Sequence, residues 1–486
     1  MYIRKLSKRG IQRLLIGVCL LALTCGTSSA QDSTEALEQR VQMLSTQLNA
    51  AKQQLAQSEL KREEVGRALK SLATREAAVS AQEAALAALA DAAAPSSSKI
   101  TPGDLIPALK GLEIGGAIRA NYYGGDYTSG GLAEDMNRGD DGTISLDTFR
   151  INMDYERGAW IGKFEYRFYP GYSSNNSDGY SFIHTGWLGY NFENKDQVQV
   201  GINRVPFGPG AYGVSQSWLF DQHYYVGLSD DMDLGIKYQT VKGDWSFDLA
   251  YYISDEGSYF GENFSNDSVR YSYDVVNESG SGYEERNQFN ARAIYATSLG
   301  DVNVDLGASA QYGMLESKGT QDDGDHYALS LHPVFKWNNW TLAPQLTYYN
   351  YDIDGYIAGD LDGDLIQFGA YDFPTTVATE AWIAAASLSY YYEVDQVDWL
   401  DYVIPYIEYS TIMKEVSGFN DSELFVVGAA WARGGWFIYT EVATSNGNDF
   451  IGNEPGANGQ QYDSRFGANP NEDWQSRFNI NFGYYF

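Results

Sequence analysis

Cysteine is nearly missing from this chain of 486 residues: Cys19 and Cys25 lie in the first thirty positions and none follows. Those positions, 1–30, read as a secretory signal. Arg4, Lys5, Lys8, Arg9 and Arg13 form a basic start, Leu14 to Thr24 an apolar core, and Ser28-Ser29-Ala30 a small-residue cleavage site. Ala22-Leu23-Thr24 is a poor match to the sequence that precedes an acylated cysteine. Cleavage after Ala30 leaves Gln31 first and no thiol, which excludes disulfides and thiol chemistry. Basic residues are few, 33 Lys and Arg against 64 Asp and Glu. Losing the signal moves the net charge from −31 to −36, which argues against nucleic acid as a partner. Beyond the N-terminus no apolar run reaches the ~18 residues of a membrane helix. That excludes a helical membrane protein, but not a membrane barrel, whose strands are only half apolar.

Histidine is scarce as well. His184, His223, His326 and His332 share no metal-ligand spacing, and no nucleophile–base pattern accompanies them. No catalytic residue, cofactor or resident metal is therefore expected. Asp360-Leu361-Asp362-Gly363-Asp364 and Asp322-Asp323-Gly324-Asp325 lack the spacing and final Glu of a calcium loop and read as solvated outer loops.

Heptads and alternation are what the chain does contain. From Leu37 to Ala90 a stripe steps by four and three residues: Leu37, Val41, Leu44, Leu48, Ala51, Leu55, and later Val65, Leu69, Leu72, Val79 and Leu86. Such a/d spacing predicts a coiled coil over 31–95, broken at Pro95 by a linker over 96–111. A single amphipathic helix lying on a surface fits the stripe too.

From 112 to 486 the pattern has period two. Tight turns fall at Gly158, Asn194-Lys195, Gly243, Gly300, Asn338-Asn339, Asp395-Gln396 and Gly434-Gly435. Longer polar connections span 126–142, 171–181, 208–230, 255–285, 317–325, 353–378, 414–421 and 447–473. Short and long alternate throughout, which predicts an all-β, sixteen-stranded antiparallel transmembrane barrel behind the coiled coil. Trp160, Trp245, Trp340, Trp399 and Trp436 each follow a short turn within three residues, where indole suits a membrane–water interface. The last strand ends on an aromatic carboxyl terminus, with Phe478, Ile480, Phe482, Tyr484 and Phe486 on one face.

The polar faces must point inward, because a basic side chain at mid-bilayer costs ~2–4 kcal/mol. Parity gives Arg119, Arg150, Asp154, Lys163, Glu165, Arg167, Lys237, Arg292, His332, Lys336 and Arg477 as pore-lining. Asp154 and Glu156 lie near Lys163, Glu165 and Arg167 across one hairpin, which suits cross-strand pairing as well as a solute track. A barrel of this size encloses an aqueous channel.

Leu146 to Phe168, LDTFRINMDYERGAWIGKFEYRF, resembles the second and third strands of the phosphate-selective porins, the O and P porins. Gln199 to Gly208, QVGINRVPFG, is similar to the Pro-Phe-Gly segment that precedes their long third loop. The resemblance covers roughly 100–486 of the chain. It implies a trimeric diffusive channel whose third outer loop, here 208–230, folds into the pore with Gln216, Trp218, Asp221, Gln222 and His223. The chain departs from the family pattern at its basic residues. Only Arg150 stands next to Phe149, and Pro209 to Tyr225 contains no Lys or Arg. Anion selectivity needs rings of Arg or Lys. The expectation is thus a weakly cation-preferring or nearly neutral porin in the bacterial outer membrane, with the coiled coil in the periplasm. Its partners would be outer-membrane lipid and lipopolysaccharide, small ions or solutes, and two further copies of itself. A structural tether, linking outer membrane to cell wall through the coiled coil, is the second reading.

Overall fold

A strand whose successive side chains alternate between apolar and polar must separate two environments. Here sixteen such strands close on themselves. The structure, a computed structural model, describes residues 106, 109–126, 142–170, 179–257, 261–263, 269–277, 282–357, 362–371, 373–451, 465–469 and 473–486. The signal, the heptad stripe and the start of the linker lie outside the described residues.

The barrel strands are β1 (Leu112–Gly125), β2 (Thr143–Arg157), β3 (Trp160–Tyr169), β4 (Tyr180–Asn191), β5 (Gln197–Arg204), β6 (Met232–Lys242), β7 (Trp245–Asp255) and β8 (Tyr283–Leu299). They continue with β9 (Val302–Ser317), β10 (Gly324–Leu331 and Val334–Trp337), β11 (Trp340–Asp352), β12 (Glu380–Tyr390, resumed at Tyr392–Glu393), β13 (Tyr402–Lys414), β14 (Ser422–Arg433), β15 (Trp436–Ser445) and β16 (Gln475–Tyr485). Each pairs antiparallel with its neighbours in sequence, and β16 returns to β1 from Ala117↔Tyr485 to Gly125↔Arg477. Phe486 completes the seam: its N–H donates to the Gly116 carbonyl (3.0 Å) and its carbonyl accepts from the Gly116 N–H (2.9 Å).

Short turns carry the conformations they require. Gly158, Gly243, Gly300 and Gly434 take φ between 52° and 67°, where a glycine is unstrained. These turns share a rim with both ends of the barrel chain. The Glu156 N–H donates to the Gly111 carbonyl, and the Tyr485 N–H to the Gly435 carbonyl. The connection expected at Asp395-Gln396 is longer, running from Glu393 to Tyr402 and closed by Val394 N–H on the Asp401 carbonyl.

The outside of the barrel is apolar. Leu146, Leu188, Val200, Ile236, Leu249, Leu306, Leu329, Ile407, Val427 and Phe478 are all exposed, while the polar residues beside them are covered. This inverts the arrangement of a soluble protein. At the short-turn rim the exposed tryptophans meet tyrosines on the next strand: Trp160 with Tyr190, Trp245 with Tyr295, Trp340 with Tyr390 and Trp436 with Tyr484. Each pair sits directly opposite in the ladder, with ring centroids 4.7 to 5.2 Å apart. The result is an aromatic belt at one height. Trp399 is exposed in the longer connection.

Two of the long connections are not the solvated loops expected of them. Arg270–Val275 pairs antiparallel with Leu365–Tyr371, which pairs with Phe373–Ala378. All six residues of Arg270–Val275 are buried. A barrel this wide cannot be filled by wall side chains, and Arg270–Val275, Leu365–Tyr371 and Phe373–Ala378 make a small inner sheet.

Leu249 lies outward at the middle of β7 and is 53% exposed. In lipid vesicles, Leu249→Arg is expected to lower barrel stability by ~2–4 kcal/mol, and Leu249→Ala by much less. Urea titration of the heat-modifiable electrophoretic shift measures this. Equal effects of the two variants would contradict the outward assignment.

Candidate functional site

The lumen is where the charged faces converge, and the ladder explains why. Arg150 and Arg167 face each other across β2 and β3, as do Asp154 and Lys163. Asp154 and Lys163 form an ion pair at 3.6 Å, partly open to water. Glu165 receives Arg167 at 2.5 Å and Arg150 at 3.6 Å, while His184 stands 3.6 Å away. Arg119 binds Asp147 at 2.6 Å, and Arg204 binds Asp230 at 2.8 Å. On the other side Arg292 binds Asp248 at 2.8 Å, and Lys336 stands 3.7 Å from Asp305. Lys237 Nζ donates to the Arg204 carbonyl at 2.8 Å. The basic residues read from parity therefore stand beside carboxylates or carbonyls, and their charges are largely balanced within a few ångströms.

Two β-bulges contribute to this wall. Between Leu146 and Phe149, both outward, lie two residues, Asp147 and Thr148, where the β1–β2 register shifts. The extra residue brings Asp147 inward to Arg119. His184 is the extra residue of a second shift, between β3 and β4. Simple alternation does not show either.

The connection from Val205 to Asp231 turns into the barrel. Its root is closed by the Val205 N–H on the Asp231 carbonyl (2.9 Å). From there it crosses to distant strands. The Gly208 N–H donates to Ser309 Oγ on β9 (3.1 Å), whose hydroxyl lies 2.8 Å from His332 Nε2. That ring lies directly over Gly307, where any Cβ would collide with it. Ser215 Oγ donates to Glu408 Oε2 on β13 (2.6 Å), and the Gln216 N–H reaches Glu408 Oε1. Ser217 Oγ donates to Glu441 Oε2 on β15 (2.8 Å), and the Gln222 N–H to Ser410 Oγ (3.1 Å). Gln222 Nε2 also reaches the Ser422 and Gly447 carbonyls. Glu408 and Glu441, inward by parity, are thus anchors for the loop. The sequence carries no mark of that, because their partners are some two hundred residues away.

Asp221, His223 and Thr347 deserve a chemical test. His223 Nδ1 is 2.6 Å from Asp221 Oδ1, and Nε2 is 2.8 Å from Thr347 Oγ1. That is the order of an acid–imidazole–hydroxyl relay. All three side chains are sealed from solvent, so no substrate reaches the hydroxyl. The contact holds loop to wall.

Below the loop, aromatic side chains pack it against the inner sheet. Tyr224 and Tyr225 meet Tyr273 at 5.3 and 5.5 Å, and Tyr224 Oη is 2.8 Å from Tyr371 Oη. The wet side of the loop is its opposite edge. Tyr212, Gln216, Trp218 and Phe220 are partly exposed there, as is Arg204 on the wall, while Arg119 and Arg150 are mostly covered. The Arg204 guanidinium lies over the Tyr212 ring at 5.1 Å. Arg477 is covered, held between Tyr123 (4.6 Å) and Trp218 (5.2 Å) and bonded to the Phe450 carbonyl. His332, Gln222 and His223 are buried in the seam between loop and wall rather than open to water.

No family model and no curated protein matches this chain. Among solved structures, it is similar to the outer membrane channel DcaP of Acinetobacter baumannii, at 10% identity and a TM-score of 0.49, over 77% of this chain and 97% of that one. It is also similar to Salmonella typhi OmpF in complex with daunomycin, at 13% identity and a TM-score of 0.47, over 77% and 97%. The anion-selective porin from Comamonas acidovorans gives 13% identity and a TM-score of 0.43, over 77% and 99%.

Glu408 accepts three hydrogen bonds, from Ser215, Gln216 and Ser387. Glu408→Ala strands those buried donors at ~1–3 kcal/mol each and should free the loop tip. In a refolded 31–486 chain carrying Ser217→Cys, a water-soluble maleimide should label the thiol several-fold faster once Glu408→Ala is added. Unchanged labelling would show that Glu408 does not hold the loop.

Proposed function

We propose that the chain is a passive porin of a bacterial outer membrane. The observation that carries this is the inverted barrel: an apolar belted outside, a charged inside, and a loop drawn across the lumen. An apolar surface of this extent around a closed ladder needs hydrocarbon as its solvent, and the aromatic belt marks one interface. Outer-membrane lipid and lipopolysaccharide are then the surrounding partners. Small hydrophilic solutes and ions pass along the partly exposed edge of the loop by diffusion, without covalent chemistry or energy input. A homotrimer fits the reading, because side-by-side barrels would bring three N-terminal heptad stripes into one compartment.

Selectivity follows from the charge pairing. Charges act on a passing ion within about a Debye length, ~8 Å at physiological salt. Arg119, Arg150, Arg167 and Arg204 face Asp147, Glu165 and Asp230 within a few ångströms. Asp221 is bonded to His223. An ion in the lumen therefore meets paired charges of both signs, and a tight phosphate site is not what this wall builds.

The purified protein in a planar bilayer should give a zero-current potential close to zero, or weakly cation-selective, across a potassium chloride gradient. Added phosphate should leave the chloride current unblocked. Strong anion preference or block by low phosphate would show that the wall arginines outweigh their partners.

A further inference from the structure

Six carboxylates gather at the long-loop end of β6 to β8: Asp231, Asp233, Asp255, Glu256, Asp274 and Glu285, none more than 6% exposed. They come from four places in the chain. Asp231 and Asp233 join the lumen loop to β6, Asp255 and Glu256 close β7, Glu285 opens β8, and Asp274 lies in the inner sheet. Oxygens of Asp231, Asp233 and Asp274 all lie within 4.8 Å of one another. Oxygens of Asp255, Glu256 and Asp274 do the same, so Asp274 is common to both groups.

Hydrogen bonding accounts for part of this cluster. Glu256 Oε1 accepts the N–H groups of Tyr271 (3.2 Å) and Ser272 (3.0 Å). Asp233 Oδ2 accepts Gln288 Nε2 (2.9 Å), and Glu285 Oε1 the Val275 N–H (3.1 Å). Arg270 Nη1 stands 3.7 Å from Asp255. The remaining oxygens are the telling ones: Asp231 Oδ1, Asp233 Oδ1, Glu256 Oε2 and Asp274 Oδ2 are buried and meet no donor. Buried anions at this spacing need either shared protons or a cation.

We propose that Asp231, Asp233 and Asp274 form a calcium site that fastens the inner sheet and the lumen loop to the barrel wall. The donor set is oxygen alone, which suits a hard cation. Calcium takes six to eight oxygens at ~2.3–2.6 Å, so opposite ligands stand up to about 5 Å apart, the spacing found here. Magnesium, at ~2.0–2.1 Å, demands a smaller and stricter octahedron. The site is distinct from the acidic runs at Asp322-Asp323 and Asp362-Gly363-Asp364, which form no such group among the described residues.

The test uses the refolded chain in detergent, stripped with chelator and dialysed. Calcium chloride is titrated calorimetrically, and thermal unfolding is followed with and without it. The wild type should bind calcium and unfold at a higher temperature when calcium is present. Asp231→Asn and Asp274→Asn, which keep the side-chain shape, should each weaken binding roughly tenfold or more. Asp274→Asn should also raise the metal-free midpoint, because it removes a repelling charge. Asp323→Asn should bind as the wild type does. No heat and an unchanged midpoint in the wild type would mean that protons hold the cluster, and the proposal would fall. It would fall equally if the two Asn variants bound calcium normally, or if Asp323→Asn alone abolished binding.

Discussion

Everything in this structure depends on closing the hydrogen-bond ladder between its first and last strands. In hydrocarbon an unpaired backbone N–H or C=O has no water to turn to, so a sheet can cross only if it has no edge. The closure is made by β16 against β1, and its final link is the terminal residue, bonded both ways to Gly116. The apolar alternation outside, the charged alternation inside and the rim of paired Trp and Tyr are consequences of that closed sheet. Two glycines, Gly115 and Gly116, let the terminus approach: a Cβ at either would strike the carbonyl of Phe486 or of Arg150.

Closure creates a second problem, an interior too wide for wall side chains to fill. The chain meets it with its own long connections. The segment from Val205 to Asp231 spans the bore and is held by hydrogen bonds to β9, β11, β13 and β15. The inner sheet supports it from behind through tyrosine side chains. The loop's N–H and hydroxyl donors meet carboxylates and hydroxyls on the wall, while its Asp230 and the Gly208 carbonyl meet Arg204 and Arg292. The scarcity of basic residues leaves the carboxylates near β6 to β8 crowded around Arg270.

Much of the barrel is legible in the sequence because a strand's period of two is fixed by geometry. The alternation of short and long connections fixes strand number, and the tryptophans after short turns fix height. Residues such as Arg150, Lys163, Arg292 and Lys336 are inward by parity alone. Where parity breaks, the sequence is silent. Asp147 and His184 sit at bulges, and each enters the wall because of one extra residue. The inner sheet had a signal that was outweighed by its polar surroundings: Val269, Tyr271, Tyr273 and Val275 alternate with Arg270, Ser272 and Asp274. What no local pattern could carry is contact between distant strands. The anchoring of Ser215 by Glu408, and the meeting of Asp231 with Asp274, exist only once the barrel has closed.

The central claim is that the lumen conducts and that the segment from Val205 to Asp231 narrows it. Single-channel conductance in a planar bilayer tests this most directly, comparing the full chain with one lacking residues 209–220. The hydrogen bond at the loop root lets β5 and β6 remain joined when that stretch is shortened. The account predicts discrete conductance steps for the full chain and larger steps for the shortened one. An inserted barrel that gives no steps, or steps of the same size in both proteins, would contradict it.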